Sequence, residues 1–104
     1  MASFEERFEV LARLHGAQGI ERLRRAHVVV IGVGGVGSYV CETLARSGVG
    51  RLALIDGDTV AESNLNRQLC ALHSTLGMPK AEVMRARVLD INPACNVRAY
   101  YEYY

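Results

Sequence analysis

The sequence predicts an α/β fold: half of a doubly wound parallel sheet, read as β-α-β-α-β, with an N-terminal helical extension. Three observations lead there. "HVVVI", residues 27–31, is an unbroken run rich in β-branched residues, the composition of a parallel strand buried on both faces. It is followed at once by "GVGGVG", residues 32–37, a glycine-rich turn of the kind that carries a chain from a strand into a helix. A second buried run, "RLALI", residues 51–55, ends at Asp56, close to the spacing of about 20 residues at which an acid follows such a turn. Together they read as Rossmann-like.

Taken in order, residues 1–26 read as a helical segment and residues 27–104 as a nucleotide-binding half-domain truncated at the C-terminus. Phe4, Phe8, Leu11 and Leu14 fall near helical spacing, and Ile20–Arg25 continues as a second short helix after Gly16 and Gly19. After the glycine turn, Val36, Val40 and Leu44 mark one face of a helix that ends near Ser47, Gly48 and Gly50. A polar connection follows Asp56, with a short helix expected over Leu65–Leu72. Pro79 stands where the first position of the next helix would be, and Val83, Val88 and Ile91 give that helix its apolar stripe. "NPACN" stops it, and "VRAYYEYY", residues 97–104, reads as a third strand whose tyrosines at a sheet edge predict an absent neighbour.

A chain of 104 residues holds one small domain and not a cofactor domain plus a substrate domain. Half of it is hydrophobic, yet no apolar run of about 18 residues exists, so no membrane span is expected. The first 25 residues lack an apolar secretory core, which makes a cytoplasmic address the expectation. A net charge of +1 is not that of an electrostatic nucleic-acid binder, and the arginines bunched at 22, 24, 25, 85 and 87 read as solvated helix faces. Cys41, Cys70 and Cys95 have no CxxC spacing and read as small apolar fillers. His15, His27 and His73 lack metal-ligand spacing, so no metal site is predicted.

The chemistry starts with Gly32, Gly34, Gly35 and Gly37, a GxGGxG pattern between a strand and a helix. Glycine permits the tight turn and lets backbone N–H groups approach phosphate, while the helix N-terminus adds partial positive charge. Asp56 is placed to accept ribose hydroxyls. On these residues alone NAD and ATP fit equally well. The polar run after Asp56 favours ATP: Asp58, Asn64, Asn66, Arg67 and Gln68 crowd into eleven residues, where a dehydrogenase needs no charge. Arg67 offers a fork of donors to phosphate oxygens, and neighbouring Asn and Gln amides can aim it. Lys80, in the first turn of the helix opened by Pro79, opposes the helix dipole unless an anion compensates it, and triphosphate is such an anion. Arg67 and Lys80 are thus the candidate catalytic pair, able to offset charge developing at an attacked α-phosphorus. Asp58 is a candidate magnesium-side acid.

"VVVIGVGGVGSYVCETLARSGVGRLALIDGDTVAESNLNRQ" with "GMPKAEVMRARVLDINPACNV" resembles the ATP-dependent adenylating domain shared by sulfur-carrier activators and ubiquitin-activating enzymes, the ThiF/MoeB-like superfamily. Within it, "RFEVLARLHGAQGIERLRRAHVVVIGVGGVGS", "NLNRQLCAL" and "GMPKAEVM" look most like the tRNA threonylcarbamoyladenosine dehydratases. The resemblance implies that Gly35 lines the phosphate turn, that Asp56 holds the ribose, and that Asn64, Arg67 and Lys80 surround the triphosphate, with Asp58 in the same motif. It implies ATP and Mg2+ as cofactors, a homodimer, and an N-terminal arginine, Arg7 or Arg13, reaching the partner's site. It implies also that the magnesium-holding Asp and the substrate-side half lie beyond residue 104. The implied reaction forms an acyl adenylate on a tRNA threonylcarbamoyladenosine carboxylate and then closes a ring, or, alternatively, adenylates the C-terminal glycine of a ubiquitin-like sulfur carrier. An NAD oxidoreductase half-domain and a non-catalytic nucleotide-binding or dimerisation remnant are the readings of other classes, and the isolated 104 residues are not expected to turn over.

Overall fold

The computed structural model describes residues 9–104, with the side chains of residues 10–12, 14 and 15 outside the description. The chain runs α1 (Glu9–Arg25), β1 (His27–Ile31), α2 (Gly35–Arg46), β2 (Arg51–Asp56), α3 (Lys80–Ile91) and β3 (Asn96–Tyr101). Two single-turn 3-10 helices, Glu62–Asn64 and His73–Thr75, lie between β2 and α3. The strands are parallel in the order β1-β2-β3, with Val28 opposite Leu52 and Leu52 opposite Val97. This is the half-sheet that the sequence predicts.

α1 consists of two helices merged across Gly16, whose φ of 72° and ψ of 167° suit a residue without a Cβ. The second helix runs through Gly19 rather than starting after it. Phe4, Arg7 and Phe8 lie outside the described residues.

α2 and α3 pack against each other and against one face of the sheet. Val30, Leu52, Leu54 and Val97 meet Cys41, Ala45, Ala81, Met84 and Val88 there. The inner face of α2 is not the predicted one. Ser38, Cys41 and Ala45 are buried, whereas Val36 is 82% exposed, Val40 is exposed and Leu44 is only half-buried. The reason is proximity: a Cβ on Gly37 would stand 1.7 Å from the Gly32 carbonyl oxygen, so the helix lies too close to the strand for large side chains between them. In α3 the buried line is Ala81, Met84 and Val88, with Val83 and Ile91 at its margins.

Further departures have local causes. The helix expected over Leu65–Leu72 is replaced by turns, because side chains capture the backbone groups a helix would use. Ser38 Oγ accepts from the Leu69 N–H at 3.3 Å, and Thr75 Oγ1 accepts from the Leu72 N–H at 2.9 Å. Pro79 is the N-cap and not the first helical residue, held extended by a bridge to Thr59. Arg85 and Arg87 are not merely solvated: Arg85 Nε donates to the Val97 carbonyl at 3.1 Å and Arg87 Nε to Glu42 Oε1 at 2.6 Å, which ties α3 to β3 and α2. β3 ends at Tyr101, so Glu102–Tyr104 leave the strand. β1 is buried on one face only among the described residues, since Val29 and Ile31 on the other face are about half exposed. The three cysteines are unpaired and buried, as fillers should be.

Candidate functional site

Most of the predicted residues gather near the carboxyl ends of β1 and β2, where open α/β sheets bind ligands. β1 delivers the chain to Gly32, whose φ of 82° is strained for any other residue and whose N–H donates to the Ile55 carbonyl at 2.8 Å. Gly34 is the N-cap of α2 and no side chain caps it, so the first-turn amides keep their donors for an anion. A Cβ on Gly35 would meet nothing within 4 Å, which leaves its amide open to close approach. A Cβ on Gly34 would stand 3.0 Å from Gln68 Oε1.

Asp56, at the end of β2, accepts from the Val33 N–H through Oδ2 at 2.9 Å and from the Asp58 N–H through Oδ1 at 2.7 Å. It thereby fastens the glycine turn to the loop after β2. Each carboxylate oxygen still has a lone pair for a hydroxyl. Beside it, Ile31, Gly32, Ile55 and Tyr104 line a cavity of about 220 Å³ together with the acids Asp56, Asp58 and Glu102.

The loop after Asp56 pairs with the residues before α3. Val60 N–H donates to the Met78 carbonyl at 2.9 Å, Gly77 N–H to Val60 at 2.9 Å, and Lys80 N–H to Asp58 at 3.0 Å. This pairing carries the start of α3 under the acidic loop. As a result Asp58, Asn64 and Lys80 line one cavity of about 390 Å³ together with Tyr101 and Tyr103. Asn64 and Lys80 are each only 7% exposed, and Lys80 has no carboxylate partner among the described residues. The stem of Lys80 is buried but its ammonium is not sealed from water, so it stays available to an anion in the cavity.

Tyr103 Oη donates to Asp58 Oδ1 at 2.9 Å, and that bond, with the Asp58 charge, pushes the phenol above its ordinary pKa. Burial pushes the Cys70 thiol up against the opposing pull of Lys80. No group of three or more His, Cys, Asp or Glu side chains gathers among the described residues.

Arg67 stands apart. It is exposed, lines neither cavity, and donates through Nη1 to the Ser63 carbonyl at 2.9 Å and to Asn66 Oδ1 at 3.0 Å. Asn66 aims it, as the sequence suggests. Gln68 does not: it lies against Gly34 and accepts from Cys70 Sγ at 3.6 Å. Arg13 is exposed and paired with Glu9 at 2.6 Å, and Arg7 lies outside the described residues. Sequence reasoning missed Ser38, which is fully buried beneath the turn. The available signal was a hydroxyl on a helix face packed against strands, where it must find partners.

The ThiF family model matches residues 8–103. The tRNA threonylcarbamoyladenosine dehydratase of Haemophilus influenzae is 53% identical over 95 residues, spanning 91% of this chain and 36% of that protein. Its Bacillus subtilis namesake is 55% identical over 89 residues, spanning 86% and 35%. The chain therefore spans just over a third of the length of these curated relatives. Among solved structures, the Escherichia coli tRNA N6-threonylcarbamoyladenosine dehydratase in complex with ATP matches with a TM-score of 0.95 and 43% identity, over 99% of this chain and 42% of that one.

Proposed function

The chain belongs to the ThiF family, and on that premise we propose that it is the ATP-holding part of an enzyme that adenylates a carboxylate. The observation that carries this reading is the buried Lys80, without an ion-pair partner among the described residues, beside Asn64 in a cavity one loop away from the glycine turn. In this reading the first-turn amides at Gly34, Gly35 and Gly37 take phosphate oxygens, Gly32 shapes the turn, and Asp56 accepts the ribose hydroxyls. Asn64 and Lys80 hold the triphosphate, Gln68 supports the turn from below, and Arg67 swings in from the margin with Asn66 as its brace. Arg67 and Lys80 offset the negative charge that builds as the carboxylate oxygen bonds to the α-phosphorus and pyrophosphate departs.

The substrate proposed is tRNA carrying threonylcarbamoyladenosine, whose carboxylate becomes an acyl adenylate. Ring closure then expels AMP, for a net loss of one water. Asp58 is the acid this chain would offer to magnesium arriving with ATP. A homodimer in the cytoplasm completes the proposal. No helix among the described residues is long and apolar enough to cross a membrane.

The test uses the protein at its native length, with Mg-ATP and tRNA bearing the modification. The expected result is release of AMP and pyrophosphate, with the modified nucleoside one water lighter by mass spectrometry. Adenylation of a ubiquitin-like sulfur carrier with the tRNA unchanged gives the sulfur-carrier alternative, and ATP binding with neither reaction gives a nucleotide-binding module.

A further inference from the structure

Ser38 lies fully buried at the fourth position of α2. Its Oγ donates to the Gly35 carbonyl at 2.9 Å and accepts from the Leu69 N–H at 3.3 Å. One hydroxyl thus touches both the phosphate turn and the segment that carries Arg67. The segment is short and internally bonded: the Arg67 and Gln68 N–H groups both donate to the Asn64 carbonyl, at 3.2 and 3.0 Å, and the Ala71 N–H donates to Gln68 at 3.0 Å. Fixing Leu69 therefore fixes the backbone of Arg67 and the stack of turns leading back to Asn64. The Gln68 side chain against Gly34 is a second point of contact between the same two segments.

We propose that Ser38 is a positioning residue that docks the Asn64–Leu69 segment onto the glycine turn, so that Arg67 and the turn amides address the same polyphosphate. This rests on the reading of the site as an ATP site. Ser38 itself touches no ligand; it acts through Leu69 and Gly35. Its loss should therefore be felt by the phosphates and not by the nucleoside, and only while Arg67 is present.

The experiment titrates the chain and its Ser38→Ala variant separately with tripolyphosphate and with adenosine, followed by NMR, and repeats both in an Arg67→Ala background. Losing one hydrogen bond's worth of positioning should weaken tripolyphosphate binding roughly three- to tenfold, leave adenosine unchanged, and add less than about a further twofold once Arg67 is gone. Equal weakening of both ligands, or a full additional loss in the Arg67→Ala background, overturns the proposal and makes Ser38 an ordinary core residue. Amide exchange at Leu69 in the unaltered chain decides the matter even if Ser38→Ala does not fold: slow exchange is expected, and exchange as fast as that of exposed loop amides overturns the docking. If the unaltered chain binds neither ATP nor tripolyphosphate, the site reading itself has failed, and the proposal falls with it.

Discussion

Single residues at the turn do separable work. At Gly37 a Cβ would collide with the Gly32 carbonyl oxygen at 1.7 Å, a backbone atom that cannot swing aside, so Gly37→Ala should cost about 1–3 kcal/mol or more, measured as a lowered denaturant midpoint. At Gly35 a Cβ meets nothing within 4 Å, so Gly35→Ala should stay within about 0.5 kcal/mol of the parent while ATP affinity falls roughly tenfold. A reversal of that pattern would show that Gly35 is a packing glycine. Cys41 sets a pH dependence of stability. Burial raises its thiol from 9.0 to about 12, so the native state holds that proton more tightly than the unfolded chain does. The contribution is present below 9.0 and lost as pH rises from there through about 12, so denaturant midpoints should fall across that window, less so in Cys41→Ala. A midpoint that rises there contradicts the burial of this thiol.

At the level of elements, hydrophobic pattern located the strands and helices but misjudged faces. The Val36, Val40 and Leu44 stripe is real as a sequence pattern, yet the close approach at Gly37 reserves the inner face of α2 for Ser38, Cys41 and Ala45. Met84, absent from the predicted stripe of α3, is fully buried. Met84→Ala should therefore cost about 2–5 kcal/mol and Val36→Ala no more than about 0.5 kcal/mol, read from urea unfolding of the two variants. Comparable losses would restore the predicted face. Lys80 was legible because Pro79 announced a helix start, and the glycine turn because its spacing is diagnostic between strand and helix. The partners of Ser38 and Tyr103 were not legible, since Leu69 and Asp58 lie 31 and 45 residues away in sequence and only the fold unites them. The expected helix over Leu65–Leu72 failed because Thr75, near in sequence, and Ser38, distant from it, take N–H groups within that span.

For the whole molecule, three parallel strands covered on one face by α2 and α3 are enough to bring a glycine turn, an acid at a strand end and a buried lysine to one end of the sheet. That assembly is local to residues 32–80, so a chain spanning just over a third of the length of its relatives holds the glycine turn, Asp56, Asn64 and Lys80 together. Everything turns on whether Lys80 is buried to meet polyphosphate. The measurement is a calorimetric titration of the chain and of Lys80→Met with Mg-ATP and with NAD. ATP should bind in preference to NAD. Lys80→Met should fold about as stably, because the apolar stem is kept and no ion pair among the described residues is lost, and should bind ATP roughly 10- to 100-fold more weakly. Undiminished ATP binding by Lys80→Met, or NAD bound as tightly as ATP, would contradict an ATP site at this end of the sheet.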